Sequence, residues 1–222
     1  MEKRRARVIE LYTWTTPNGE KPVLMLEECG LDYDLRLVDI STGQQKESGF
    51  LAINPNGRIP AILDRDAGEG YRVFESGAIL VHLAEKTGRF LAPGGMARAE
   101  TFAWTFFQAG GTGPMIGQIH YFRNADERSD FAIKRFEREG ERLLGVLDTR
   151  LSEVDYLAGD YSIADMMNWS WARSGLNDLD ARARFPALAA WVDRVGARPA
   201  VVRALERLQE AKRLAAEKAS NA

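Results

Sequence analysis

Residues 54–76 read Asn54-Pro55-Asn56-Gly57-Arg58-Ile59-Pro60-Ala61-Ile62-Leu63-Asp64, then a turn carrying two glycines, then Tyr71-Arg72-Val73-Phe74-Glu75-Ser76. Asn54-Pro55-Asn56-Gly57 is a turn signal, because proline fixes φ and Asn-Gly accepts φ > 0. Ala61-Ile62-Leu63 and Tyr71 to Phe74 are short runs suited to strands, and residues 66–70 form a hairpin loop between them. Pro60 stands where the first strand begins, a place where a missing N–H is tolerated. It leaves the Ile59 backbone without a ladder partner on one side. Ile79, Leu80, Leu83 and Ala84 then follow at helical spacing and Gly88 ends the helix, so Glu75-Ser76 lies at a strand-to-helix junction. The Ser76 hydroxyl and the first N–H groups of that helix make an anion site, with the Glu75 carboxylate beside it for an ammonium group. Such a set suits a small zwitterionic peptide.

Outward from this stretch, residues 8–12 read as a first strand, residues 21–29 as a short amphipathic helix stopped by Gly30, and residues 33–38 as a half-buried strand. Residues 44–52 read as a weaker helix. The order β-α-β-α-β-β-α describes a mixed α/β layer ending in a hairpin. Pro93-Gly94-Gly95 marks a linker. Beyond it the expected elements are all helical: residues 99–109, interrupted by Gly110 to Pro114, then 131–151, a capping-box start at Ser162 before 166–171, 186–195 and 200–214. The boundaries are therefore 1–88 for an α/β domain, 89–97 for a linker and 98–222 for an all-helical domain.

Asn-Pro-Asn-Gly-Arg-Ile-Pro-Ala-Ile-Leu-Asp with Phe-Glu-Ser-Gly-Ala-Ile-Leu resembles the glutathione-binding, thioredoxin-like domain of glutathione transferases. With Thr15-Thr16-Pro17-Asn18-Gly19 and Gly110-Gly111-Thr112-Gly113-Pro114-Met115, the chain is similar to the bacterial Nu class, over nearly its whole length. That resemblance implies a thioredoxin-like domain followed by a helical bundle, and glutathione-dependent disulfide-bond oxidoreductase activity. It also implies glutathione as co-substrate, as two molecules or oxidised glutathione in each site, and a homodimer. Ile59, Glu75 and Ser76 match residues that bind the peptide backbone and γ-glutamyl end, Gln45 matches one at the glycyl end, and Arg135 matches a basic residue facing the site. Gln108 is added to the binding set.

Thr16 and Asn18 match residues at the thiol end, and the resemblance makes them the catalytic pair. Read alone, Thr16-Pro17-Asn18-Gly19 is equally an N-cap with proline in the first turn. A free thiol titrates near ~8.5, and lowering that by ~2 units takes ~2.7 kcal/mol in favour of the anion. One or two hydrogen bonds to a charged acceptor, at ~1.5–3 kcal/mol each, supply that much. Other transferase classes place a tyrosine, serine or cysteine against the sulfur; here Tyr12 lies inside the first strand pattern and reads as a core residue. Cys29, at a helix C-terminus behind Glu27 and Glu28, is disfavoured as a thiolate by dipole and charge and reads as a small buried core residue. With no Cys-x-x-Cys, disulfide exchange must draw both thiols from solution.

Composition narrows the rest. The 222 residues carry a net charge of −2, so no overall field favours nucleic acid or anionic membrane. Lys3, Arg4, Arg5 and Arg7 read as a solvated terminus. No run approaches the ~18 apolar residues of a membrane span, no signal peptide follows the basic residues, and a single cysteine fits a reducing cytoplasm. His82 and His120 show no ligand spacing, so no metal is expected. Gly111-Thr112-Gly113 is a helix kink or close packing, not a phosphate loop. The alternatives to a disulfide reductase with minor conjugation or peroxidase activity are a conventional conjugating transferase and a glutathione-binding regulatory module.

Overall fold

The computed structural model describes residues 9–66 and 70–220. The basic cluster at residues 3–7 and positions 67–69 of the expected hairpin loop lie outside them. Two compact units result: Met1–Thr87 together with Pro199–Ala222, and Gly88–Arg198.

The first unit holds a sheet in the order β2-β1-β3-β4, built from β1 (Ile9–Thr13), β2 (Tyr33–Leu37), β3 (Ala61–Asp64) and β4 (Tyr71–Phe74). β1 runs parallel to β2, pairing Leu11 with Leu35, and antiparallel to β3, pairing Leu11 with Ile62. β3 and β4 form the expected antiparallel hairpin, with Ile62 opposite Val73. Helix α1 (Pro17–Cys29) connects the parallel pair, and α3 (Ser76–Thr87) follows the hairpin. Val23, Leu24 and Leu26 of α1, Ile79, Leu80 and Leu83 of α3, and Leu11 and Ile62 of the sheet are all fully buried. Burying each such side chain contributes ~1.5–3 kcal/mol.

Two expectations change here. Residues 44–52 are not one helix: a 3₁₀ turn, Gln44–Lys46, and a single-turn helix α2, Ser48–Leu51, are separated by Glu47 at φ −68°, ψ 146°. An extended residue cannot continue a helical hydrogen-bond ladder. The last helix, α9 (Pro199–Ser220), belongs with the first unit and not with the helices that precede it. Arg207 explains why: its guanidinium donates to Glu27 Oε1 (3.0 Å) and Tyr33 O (3.2 Å) and lies 3.9 Å from the Tyr33 ring centroid.

The second unit comprises α4 (Gly95–Phe107), α5 (Gly113–Asn124), α6 (Asp130–Leu151), α7 (Ile163–Asp178) and α8 (Pro186–Gly196). α4 starts inside the expected linker, because Gly94 in extended conformation serves as its N-cap. The Gly-Gly interruption takes the form of a π-helical turn, Gln108–Thr112, between α4 and α5. α7 opens on a complete capping box: Ser162 Oγ accepts from Ala164 N at 3.2 Å and Asp165 Oδ2 accepts from Ser162 N at 3.0 Å. Asp165 also accepts from Leu157 N and Trp191 Nε1. Burial raises its carboxyl to about 6 against the pull of those donors.

Candidate functional site

The N-terminus of α1 is fixed by its own sequence. Thr16, extended at φ −132°, ψ 160°, caps the helix by accepting from Gly19 N at 3.2 Å, and Pro17 supplies the fixed φ of the first turn. α1 therefore begins four positions before the expected residue 21. Gly19 is there because nothing larger fits: a Cβ would stand 2.0 Å from Trp14 O and 2.6 Å from Thr13 Oγ1. This close seating lets Thr13 Oγ1 donate to Gly19 O at 2.9 Å and presents Asn18 from the first turn.

The opposite wall is residues 54–60 and the start of α3. Buried Asn54 organises the turn, donating to Arg58 O (2.6 Å) and accepting from Asn56 N (3.0 Å). The Ile59–Pro60 peptide is cis, and Ile59 lies just before β3. Glu75 has φ 67°, a left-handed conformation rare for a residue with a side chain. Its carboxylate is approached by Asn56 Nδ2 at 3.5 Å, and its carbonyl accepts from Ile79 N at 2.9 Å. Ser76 next to it is buried at the first turn of α3. Gln45 and Lys46 border the same turn, since a Cβ on Gly57 would meet Lys46 Nζ at 2.9 Å and Gln45 O at 3.1 Å. Gln45 Oε1 is buried with no hydrogen-bond partner.

Lys21 escaped the sequence reading. It is fully buried in α1, and its Nζ donates to Asn18 Oδ1 at 2.8 Å and lies 3.5 Å from Ser76 Oγ. One ammonium thus ties the thiol-end candidate to the γ-glutamyl-end candidate. Burial pushes its pKa down to about 7, partly opposed by the Glu75 carboxylate. A lysine on a surface-type helix ordinarily reads as solvated, so its spacing of three from Asn18 was the available signal.

Tyr12 is half-buried, not a full core residue. Its ring sits 6.3 Å from that of Phe50, and its hydroxyl donates to Glu10 Oε2 at 2.9 Å. Burial and the Glu10 carboxylate both raise the phenol pKa, so the hydroxyl stays protonated and committed to Glu10. Cys29 is partly exposed, which corrects the buried-core expectation, and its sulfur lies 3.5 Å from Thr87 Oγ1. At ~1.5 Å rise per residue it stands roughly 20 Å along α1 from Thr16.

In the second unit, Gln108 is buried with its amide folded over Gly113, where a Cβ would meet Nε2 at 2.2 Å. It closes the π-turn, which gives its burial a packing role. Arg135 is exposed on α6 and lines a cavity of about 300 Å³ with Met115, Phe136, Arg138, Glu139 and Arg142. Arg142 there is neutralised by a bidentate bond to Glu139 (2.9 and 2.7 Å). His120 meets both Asp178 Oδ2 (2.5 Å) and Ser174 Oγ (3.4 Å) through the same Nε2, so no proton relay runs through the ring. His82 meets Asp64 Oδ2 (2.7 Å), which also accepts from Lys86. Among the described residues no three His, Cys, Asp or Glu side chains are grouped to hold a metal. No helix of the described residues is long and apolar enough to cross a membrane.

Comparison with known proteins agrees with this layout. Residues 7–85 match the family model for the glutathione S-transferase N-terminal domain, and residues 114–199 match that for its C-terminal domain. The chain is 45% identical over 207 residues to the disulfide-bond oxidoreductase YfcG of Escherichia coli (strain K12), covering 91% of this chain and 96% of the relative. It is 42% identical over 212 residues to YghU of the same organism, also named a disulfide-bond oxidoreductase, covering 88% and 73%. Among solved structures, a glutathione transferase family member from Pseudomonas fluorescens pf-5 with two glutathione bound superposes with a TM-score of 0.86. It is 39% identical, covering 92% of this chain and 95% of that one. This chain belongs to the glutathione S-transferase family.

Proposed function

We propose that this chain is a glutathione-dependent disulfide-bond oxidoreductase of the Nu-class type. The observation that carries this reading is the junction at Lys21, which joins Asn18 at the start of α1 to Ser76 at the start of α3. Two helix N-termini and an adjacent carboxylate then face one small peptide, and no cysteine stands among them. Thr16 and Asn18 hold the thiolate. Ile59 pairs with the peptide backbone, Glu75 meets the α-ammonium and Ser76 the α-carboxylate of the γ-glutamyl end. Gln45, with its unpartnered buried oxygen, serves the glycyl end, and Arg135 supplies positive charge from α6. Gln108 is left with its packing role.

The chemistry balances without a protein thiol. A glutathione thiolate attacks a substrate disulfide; a mixed disulfide forms and one substrate thiolate leaves, taking up a proton. A second glutathione thiolate attacks the mixed disulfide, releasing the other substrate thiolate and oxidised glutathione. The protein lowers the thiol pKa and aligns the sulfurs. The names of the two Escherichia coli relatives and the two glutathione in the Pseudomonas fluorescens structure support this reading. A homodimer in the cytoplasm completes the proposal; Tyr71, Phe74, Met96 and Phe106 are exposed large apolar side chains available to a partner copy. A light-scattering mass near 24.8 kDa would contradict the dimer.

The test of the roles is a pair of variants. At saturating glutathione, T16A should lower the turnover for disulfide reduction by ~10-fold or more, the worth of one hydrogen bond to a charged acceptor. E75A should act mainly on the glutathione KM. Equal turnover in T16A and wild type removes Thr16 from its assigned role.

A further inference from the structure

We infer that the cavity between α5 and α6 receives an anionic half of the disulfide substrate, and that Arg138 in its lining selects small disulfides whose departing thiol carries a carboxylate. The inference rests on the proposed function, which gives Arg135 of the same cavity a part in the disulfide-reducing site.

The charge pairing along α6 carries it. The helix bears five carboxylates, Asp130, Glu137, Glu139, Glu141 and Asp148. Each is already matched: Asp130 to Arg128 (2.9 Å), Glu137 to Arg123 (2.6 Å), Glu139 to Arg142 (2.7 Å), Glu141 to Arg184 (2.9 Å) and Asp148 to the Leu188 N–H (2.9 Å). Arg135 and Arg138 are left over, and both line the cavity. Among the described residues Arg135 makes no hydrogen bond or ion pair. Arg138 makes one bond there, from Nε to its own helix at Lys134 O (3.3 Å). Glu139 lies in the same lining, but the bond from Arg142 holds its carboxyl below the usual range, with Arg135 adding to the effect. It is therefore ionised at neutral pH and committed to Arg142. A glutamate ahead of its arginine is also the stronger order on a helix, which favours Arg142 over Arg135 as its partner. Three guanidinium groups and one carboxylate leave the lining net positive.

The remaining walls are apolar. Phe136 is stacked on Phe122 with ring centroids 5.6 Å apart and so is held in place, while Met115 in the first turn of α5 is an adaptable surface. The volume of about 300 Å³ stands at the small end of ligand pockets, which span ~300–1,000 Å³. A short alkyl thiol with a terminal carboxylate matches both parts. Its methylenes lie against Met115 and Phe136, and its carboxylate accepts from the planar N–H forks of Arg138 and Arg135. An ammonium-bearing disulfide would meet two cations of its own sign, and a hydroxyl substituent would accept from them without charge.

The test measures kcat/KM for glutathione-dependent reduction of 3,3′-dithiodipropionate, hydroxyethyl disulfide and cystamine, each divided by its uncatalysed rate with glutathione. The wild-type order should be anionic over neutral over cationic. Raising salt from ~0.05 to ~0.5 M should compress that order, because exposed charges are screened. R138Q should lower the anionic-to-neutral ratio about fivefold, the upper range for one exposed ion pair. E139Q should raise the ratio, since it removes the carboxylate from the lining and releases Arg142. K134Q removes one exposed charge from the same helix outside the cavity lining and should move the ratio less than twofold. Without glutathione, binding of 3,3′-thiodipropionate, a thioether that cannot react, should weaken in R138Q by the same factor as the ratio. Hydroxyethyl disulfide reduced with no anionic preference, or an equal loss in R138Q and K134Q, would overturn the inference and leave the disulfide-reductase reading standing. No reduction of any of the three sinks that reading and the inference with it.

Discussion

Gly19 and Lys21 show how one helical turn can serve both fold and chemistry. The Gly19 Cα sits so close to the Trp14 carbonyl that a Cβ would stand 2.0 Å from it, and backbone cannot move aside as a side-chain tip can. G19A should therefore lower unfolding stability by about 3 kcal/mol, read as an earlier urea midpoint at unchanged slope. Lys21 makes the opposite kind of prediction. Burial lowers its pKa to about 7 from an unfolded value near ~10.4. The unfolded chain binds this proton more tightly, so the residue's contribution is fully present above ~10.4 and is lost as pH falls through about 7. K21M should gain stability relative to wild type as pH drops from 10 to 6, measured by chemical denaturation across that range; a constant difference would show that Lys21 titrates normally. Neither residue announced its role in sequence. Asn18-Gly19 reads as a turn signal whatever lies behind it, and the burial of Lys21 depends on Ser76, 55 positions away.

Elements whose signals are local were legible, and those set by distant partners were not. The β3–β4 hairpin and the start of α3 follow from Pro60, the apolar runs and Glu75-Ser76, and they stand where the pattern puts them. The capping box of α7 was equally plain, because Ser162 and Asp165 satisfy each other. Residues 44–52 failed, since helix propensity over nine residues cannot register one extended Glu47. The start of α1 at Pro17 is the one the N-cap reading of Thr16 gives, and the later start at residue 21 came from following only the apolar spacing of Val23, Leu24 and Leu26. At the end of β3, Asp64 shows how a buried acid holds strand to helix α3. Burial opposes its ionisation, but hydrogen bonds from His82 (2.7 Å) and Lys86 (2.9 Å) prevail and keep the carboxyl below its usual range. A lowered acid contributes stability above its unfolded value, near ~3.9, and loses it as pH falls through the folded one. D64N should be about 2 kcal/mol less stable at pH 7 and should show a flatter acid limb in thermal melts below pH 4. An acid limb as steep as wild type would assign that slope to other carboxylates.

At the scale of the molecule, two units are built by different rules, an α/β sheet that carries the motif of residues 54–76 and a set of helices rich in aromatics. The expected linker at residues 89–97 was read from Pro93-Gly94-Gly95 and from the lack of strand patterns beyond it. The return of α9 to the first unit was not, because an amphipathic helix does not state which surface it covers; Arg207, Glu27 and Tyr33 decide that. The proposed glutathione-binding residues, Arg135 apart, lie in the first unit, while the helical unit offers aromatics and an arginine-lined cavity with little that names a particular substrate. The cofactor was therefore far more legible than the client. The decisive measurement is the steady-state reduction of a small hydroxyalkyl disulfide by glutathione, run beside conjugation of a chloronitrobenzene under the same conditions. Fast disulfide reduction with slow conjugation is the predicted result. Conjugation that outpaces disulfide reduction, or no reduction at saturating glutathione, would contradict the two-thiol mechanism.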